Sequence, residues 1–329
     1  MRAVVLVGGF GTRLRPLTNS IPKPMLPVVH VPIIERLVTN LARGGVTDVT
    51  LGLGFRPEPF VEAFPDSTCA GVALRYAVEP EPFDTAGAIR FAADEAGIDD
   101  TFVVANGDIL TDLDVGALVE FHRARQAQAT IHLIPVDDPS SFGVVALDGA
   151  GRVERFVEKP APGTAPSNLI NAGTYVLEAS VLARIPALQK SSIERVTFPA
   201  IAADRGLFAM ATEDAWIDTG RPELYLQANL DELDRDPAAG VHADANVSTD
   251  ATIERSVIGP RALVARGAMV EGSVVLPDAV IGANAVVRDS VVMGTVGPGA
   301  CVERCVLGAD GVIAADERVA DERRPAPEG

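Results

Sequence analysis

Lysine is nearly missing from this chain of 329 residues: Lys23, Lys159 and Lys190 are the only three among 28 basic side chains. Arginine serves the surface, so a surviving lysine is expected where chemistry wants a compact, flexible point charge. Cysteine is equally sparse. Cys69, Cys301 and Cys305 are too few for a disulfide framework, and no histidines accompany the last two, so all three read as small apolar fillers. The histidines, His30, His122, His132 and His242, are scattered and support neither a zinc site nor a Ser-His relay. Positive charge is in deficit. The net charge of -17 argues against a nucleic-acid partner, because phosphate backbones would be repelled, and any nucleotide must meet a local basic pocket. No run of about 18 apolar residues occurs, which excludes a membrane-spanning helix. Met1 leads straight into an apolar strand pattern rather than a secretory leader, so a cytoplasmic location is expected.

What is present, 47% hydrophobic and 22% charged residues, suffices for two domains and a large core. Through the first two thirds, short apolar runs at residues 3–7, 49–53, 74–78, 102–105 and 131–136 read as strands. Helical spacing links them: Ile34, Leu37, Val38 and Leu41 keep one face before Gly44 and Gly45, and residues 85–96 and 113–126 fit further helices. This alternation predicts an α/β fold, a Rossmann-like, mostly parallel sheet with helices on both faces and ligands at the carboxyl ends of the strands. From about Gly240 the texture changes. Val247, Ile253, Ile258, Val264 and Val270 begin a period near six that continues to Ile313, one inward aliphatic per step among small polar residues. Such a period predicts a C-terminal left-handed parallel β-helix of hexapeptide repeats, with roughly four to five coils. The boundaries expected are 1–232 for the catalytic domain, 233–242 for a charged linker, 243–315 for the β-helix and 316–329 for a mobile tail. A β-helix acyltransferase needs a histidine beside its coils, and only His242 is at hand, so the coils are expected to serve assembly or stiffening. Exposed β-helix faces commonly pair subunits, and a homo-oligomer is therefore expected.

The most informative segment is residues 8–27, G-G-F-G-T-R-L-R-P-L-T-N-S-I-P-K-P-M-L-P, directly after the first apolar run. Glycines without side chains let backbone N–H groups approach phosphate oxygens, and Arg13, Arg15 and Lys23 add mobile positive charge. A dinucleotide fingerprint fails because Leu14 stands where a third glycine is needed, and a Walker loop fails because no G-K-[ST] closes the turn. What remains, G-G-x-G-T-R-L-x-P-L-T followed by P-K-P-x-L-P, resembles the signature of the sugar-1-phosphate nucleotidyltransferases. Five further clusters match that family: Asn106-Gly107-Asp108, Phe142-Gly143, Phe156 through Pro160 (F-V-E-K-P), Asn171-Ala172-Gly173, and Trp216 through Gly220 (W-I-D-T-G).

The resemblance implies a role for each position. Arg13 and Lys23 would be catalytic; Leu6, Gly8, Gly9, Gly11, Thr12, Glu79, Thr85 and Gly107 would bind the nucleotide; Gly143, Glu158, Lys159, Asn171 and Gly173 would hold the sugar phosphate. Asp108 and Asp218 would bind Mg²⁺, which favours few carboxylates plus substrate phosphates and water. Base choice is written in two positions. Family members that read thymine commonly carry Gln after the P-K lysine and after the Y-A-V strand, whereas here Pro24 and Glu79 stand there. A carboxylate accepts without donating, so Glu79 suits the N1–H and 2-amino group of guanine, which points to GTP. The stretch from Ser191 to Pro199 resembles the T-S-I-E-x-x-x-F-P segment of mannose-1-phosphate guanylyltransferases and points to mannose 1-phosphate, with GDP-mannose as product. One departure is Asp84, in P-F-D-T-A-G, where that family has glycine; Asp tolerates a positive φ, but its charge disfavours nearby phosphate. The competing readings are a thymidylyl- or uridylyltransferase on glucose 1-phosphate and a catalytically silent nucleotide-sugar sensor.

Overall fold

The computed structural model describes residues 1–9, 11–54 and 57–326. The chain divides into two compact units, one built from Met1–Gly9 and Ile34–Trp216, the other from Phe10–Ile33 and Ile217–Gly329.

The first unit is an α/β layer around a ten-stranded sheet. Its first strand, β1 (Arg2–Leu6), carries Ala3, Val4 and Val5 with no solvent exposure. A strand apolar on both faces must be covered on both, and the helices α1 (Ile33–Arg43), α2 (Asp84–Glu95) and α3 (Val115–Arg125) belong to this unit almost entirely. Asp114 caps α3 by accepting from the Ala117 N–H at 2.9 Å. Strands β2 (Asp48–Leu53), β3 (Val72–Val78) and β4 (Phe102–Asn106) run parallel with β1, where β1 pairs with β2 and β4 and β2 pairs with β3. The remaining strands make the sheet mixed. A hairpin of β6 (Gly143–Leu147) and β7 (Val153–Glu158) turns at Asp148, whose Oδ1 accepts from the Ala150 and Arg152 N–H groups at 2.8 and 2.9 Å. The long β8 (Leu169–Leu177) runs antiparallel to both β4 and β5 (Ala129–Pro135), while β9 (Leu207–Ala211) extends β5 in parallel. The path along the sheet is β7-β6-β8-β4-β1-β2-β3 and then the short strand Thr68–Cys69. Helix α4 (Phe198–Ala203) seals the end of the core, with the Phe198 ring 5.0 Å from Tyr175 in an edge contact.

In the second unit, helix α5 (Pro222–Arg235) reaches into the stretch expected to be a linker, and residues Pro237–Gly240 add a 3₁₀ turn. The cause is apolar spacing within the charged run: Leu230 and Leu233 are buried, and a Cβ on Gly240 would come 3.0 Å from Leu233 Cδ1. The repeats form three parallel five-stranded sheets. One stacks Asn246–Val247, Leu263–Val264, Val280–Ile281, Thr295–Val296 and Val312–Ile313 in register, so successive coils are 17 residues long except for one of 15. Inward residues such as Val270, Ile281, Val287, Val302 and Leu307 share one core. Beneath one corner runs a buried ladder in which the N–H groups of Ser273, Ser290 and Cys305 each donate, at 3.0 Å, to the hydroxyl of Ser256, Ser273 and Ser290 in turn. The coils do not stop at 315. Arg318–Ala320 and Arg323–Arg324 pair with the preceding coil in a segment expected to be a mobile tail, of which residues 327–329 lie outside the described residues. Val319 fills the core there, while the charged residues around it face outward.

Candidate active site

The glycine loop begins where β1 ends. Gly8 lies against the chain at Gly54, where an added Cβ would come 3.1 Å from the Gly54 nitrogen and 3.6 Å from Glu79 Oε1, so nothing larger than glycine fits between the strand ends and Glu79. Glu79 follows β3 and is only 7% exposed. Its Oε2 accepts from the Phe83 N–H at 2.8 Å, so one oxygen shapes the turn that follows the strand. Burial raises the Glu79 carboxyl above its ordinary value, against the opposing pull of that hydrogen bond. Gly107, one residue past β4, donates to Leu6 O at 2.8 Å, and a Cβ there would meet Val7 Cγ1 at 2.4 Å. Leu6, Gly8, Glu79 and Gly107 are thereby gathered at the carboxyl ends of parallel strands, where Asp108 also sits; Gly9 has open space around it. Thr85 is used differently from its expected role. Its hydroxyl donates to Glu194 Oε2 at 2.7 Å and accepts from the Ile193 N–H at 2.9 Å, which ties the start of α2 to the 191–197 segment.

The residues expected to hold the sugar phosphate lie in the same unit. Gly143 makes room for its cross-strand partner Glu158, whose Oε2 would be 2.9 Å from any Cβ added there. Burial lifts the Glu158 carboxyl above its ordinary range, Glu194 adds to the effect, and Lys159 and Arg195 oppose it. The Lys159 ammonium, largely exposed, is 3.7 Å from Glu158 Oε1, and its backbone sits at φ 48 with its N–H on Phe142 O. Residues 171–173 form a bulge in β8, where the register against β5 shifts. Asn171 Oδ1 accepts from the Gly173 N–H at 2.9 Å, and Gly173 is required twice over, by its φ of +78 and because a Cβ would come 2.4 Å from Ile109 Cδ1 and 2.7 Å from Asn106 Nδ2. Asn171 Nδ2 donates to the buried Tyr175 hydroxyl, whose ionisation is suppressed by burial first and then by the charges of Glu194, Glu158 and Asp108. Trp216 closes this side, with its indole N–H on Ala172 O at 2.9 Å and its ring against Phe142. Glu194 and Tyr175 were missed as site residues. The S-I-E segment was visible in sequence, but Glu194 gains its meaning from Thr85, which is 109 residues away.

The second unit holds Arg13, Lys23 and Asp218. Gly11, at φ +60, starts a 3₁₀ turn over Thr12–Leu14, and Thr18 Oγ1 donates to Gly11 O at 2.9 Å. Leu14, Leu17 and Leu26 are wholly buried and fix the loop from within. Helix α5 fixes it from outside: Asn229 Oδ1 accepts the Val29 N–H at 3.0 Å, and Tyr225 donates its hydroxyl to Pro27 O. So held, Lys23 is buried, and its Nζ lies 3.2 Å from Asp218 Oδ1, while the more exposed Arg13 reaches Asp218 Oδ2 at 3.8 Å. Asp218 Oδ1 also accepts from the Gly220 N–H at 2.8 Å. A Cβ on Gly220 would come 2.8 Å from Arg13 Nη2 and 3.2 Å from Lys23 Nζ, so this glycine is where the three charged groups converge. Among the described residues no three His, Cys, Asp or Glu side chains group into a metal cage. An isolated carboxylate such as Asp218 fits a divalent cation that arrives with a polyphosphate.

A glycine loop that leads into one buried lysine, one exposed arginine and an isolated carboxylate defines a phosphate-handling enzyme. Residues 2–235 match the family model described as nucleotidyl transferase, and residues 236–324 match that of the GMPPB C-terminal domain; the chain belongs to the nucleotidyl transferase family. Over 272 residues it is 41% identical to a probable mannose-1-phosphate guanylyltransferase 1 of Oryza sativa subsp. japonica, covering 80% of this chain and 74% of that one. Over 231 residues it is 42% identical to the mannose-1-phosphate guanylyltransferase of Mycobacterium tuberculosis, covering 70% and 64%. HddC from Yersinia pseudotuberculosis superposes with a TM-score of 0.61 at 29% identity, over 70% of this chain and 99% of that one. A putative glucose-1-phosphate thymidylyltransferase from Bacillus anthracis gives 0.65 at 26% identity, over 72% and 96%. No helix among the described residues is long and apolar enough to cross a membrane.

Proposed function

We propose that this nucleotidyltransferase moves a guanylyl group from GTP to mannose 1-phosphate, giving GDP-mannose and pyrophosphate. The observation that carries the reading is the convergence of Lys23, Arg13 and Asp218 over Gly220. A sugar phosphate oxygen attacks the α-phosphorus in line, a new P–O bond forms, and the bond from the α-phosphorus to the bridging oxygen breaks as pyrophosphate leaves. The nucleophile is already anionic, so no general base is required. The protein's work is to bring two polyanions together and to stabilise charge on the α-phosphate and the leaving group. Lys23 is prepared for this because its side chain is buried and held by Asp218, and Arg13 adds a guanidinium fork able to follow the leaving oxygens. Loop N–H groups at Gly8, Gly9, Gly11 and Thr12 cradle the phosphates, and Lys159 orients the attacking one. Asp218 and Asp108 are the proposed Mg²⁺ ligands, and the ion, when bound, neutralises phosphate charge and polarises the bond to be broken.

Glu79 supports guanine as the base, since Phe83 occupies one oxygen and leaves a buried acceptor beside Gly8. The names borne by the rice and mycobacterial relatives support mannose 1-phosphate. Glu158, Lys159, Asn171 and Gly173 are proposed to hold that sugar phosphate; Thr85 acts on the nucleotide through the turn it braces. A cytoplasmic location and self-association are part of the proposal, the latter supported by Leu263 and Val312, exposed on the same sheet of coils. The test is a panel of four nucleoside triphosphates against mannose, glucose and heptose phosphates, scored by pyrophosphate release with Mg²⁺. Fastest turnover with GTP and mannose 1-phosphate is expected; a preference for dTTP or UTP with glucose 1-phosphate, or no release at all, would overturn the reading.

A further inference from the structure

The outer coils of the β-helix touch the glycine loop at its backbone. Arg323 Nη1 donates to Arg13 O at 3.0 Å and to Arg15 O at 3.3 Å, spanning the turn that presents the Arg13 side chain. Two further contacts fall on the same stretch. Gly308 packs so closely on Pro16 that a Cβ there would lie 2.8 Å from Pro16 Cβ and 2.9 Å from its carbonyl oxygen, and Ser20 Oγ reaches Met293 Sδ at 3.6 Å. Arg323 is itself oriented by Glu223 in the first turn of α5, at 3.9 Å.

The geometry makes this contact informative. One guanidinium nitrogen, Nη1, bridges the carbonyls of residues 13 and 15 while Nη2 faces Glu223, so the Arg323 charge is balanced and the turn is held at two points of its backbone. Two acceptors tied to one anchored group limit both the position and the rotation of the 13–15 backbone. We propose that Arg323 is a positioning residue for nucleotidyl transfer, setting the direction of Arg13 through its carbonyl, and that the repeat domain is therefore part of the catalytic apparatus and not only a means of assembly. The proposal rests on the role assigned above to Arg13.

The test uses the full chain in four forms: wild type, Arg323→Ala, Arg323→Lys and Arg13→Ala. Turnover at saturating GTP and mannose 1-phosphate is expected to fall by about 100-fold in Arg323→Ala, the loss that a misplacement of roughly 1 Å brings, with the Michaelis constant for the sugar phosphate unchanged. Arg323→Lys restores part of the loss, because one ammonium can donate to the carbonyls but lacks the second guanidinium nitrogen that faces Glu223. A second readout does not depend on activity. Trypsin cleaves after Arg13 but not before Pro16, and native cleavage at the Arg13–Leu14 bond is expected to quicken in Arg323→Ala. If that variant fails to fold, Arg323→Met decides, since it keeps much of the side-chain bulk and removes every donor to the two carbonyls. Unchanged turnover in Arg323→Ala, or in Arg323→Met where the first is unfolded, overturns the positioning role while a crippled Arg13→Ala leaves the reaction mechanism standing. Full activity in Arg13→Ala overturns the mechanism itself.

Discussion

The Lys23 ammonium is buried and lies 3.2 Å from the half-buried Asp218 carboxylate, in a chain whose other two lysines are Lys159 and Lys190. A buried lysine held by one acid needs little reorganisation when a triphosphate arrives. Lys23→Met keeps the bulk and deletes the charge. Turnover is expected to fall by about 100- to 1,000-fold, the usual loss for one preorganised donor. Pyrophosphate-release kinetics check this, and a change confined to the sugar-phosphate Michaelis constant would sink the assignment.

Glu79→Gln tests both base choice and pH dependence. The amide still accepts from Phe83 but adds a donor where guanine needs an acceptor. Selectivity for GTP over UTP is expected to drop by about 10- to 100-fold, as one reversed hydrogen bond implies. Burial raises the folded-state value of Glu79, so its contribution to stability is complete below the unfolded value and is lost as pH rises through the folded one. Wild type should therefore lose stability relative to Glu79→Gln across that rise. Parallel denaturation midpoints between pH 4 and 7 give the answer; a constant difference refutes it.

Asp84 occupies φ 60 at the start of α2, where its Oδ1 accepts the Thr85 N–H at 2.8 Å. The glycine that the family resemblance implies here and this aspartate are two solutions to the same left-handed backbone. Asp84→Ala removes the local hydrogen bond and keeps the Cβ, and it is expected to cost about 1 kcal/mol, whereas Asp84→Gly holds stability level. Urea titrations rank the three, and equal midpoints for Ala and Gly would contradict the account.

The serine ladder of the β-helix offers a stability test far from the chemistry. Ser273→Ala strips the acceptor from the buried Ser290 N–H, which is expected to cost about 1–3 kcal/mol. Denaturation of the full chain measures it. A difference below about 0.3 kcal/mol would mean that water or a shifted backbone has replaced the hydroxyl.

Much of this architecture was legible from spacing. Strand runs, the helix ending at Gly44 and Gly45, and the six-residue step are all periodicities, and each reports local geometry that any chain must obey. The glycines at 107, 143 and 173 were legible for a related reason: each marks a backbone approach that a side chain forbids. What stayed hidden was long-range. Glu194 reads as an ordinary acid until Thr85 is placed beside it, and Glu79 as a simple base reader until Phe83 takes one of its oxygens. The true ends of α5 and of the coils were obscured by charge, because Leu233 and Val319 each anchor a segment that is otherwise polar. Composition averages over a segment; burial depends on one or two positions within it.

The bond from Arg323 to the Arg13 carbonyl joins residues 310 apart in sequence. During synthesis, then, the phosphate-gripping turn emerges from the ribosome first and stands without its brace until the fifth coil has been made. A nascent or prematurely ended chain would own every substrate-touching side chain yet lack the strut that aims them, so competence is acquired late and all at once.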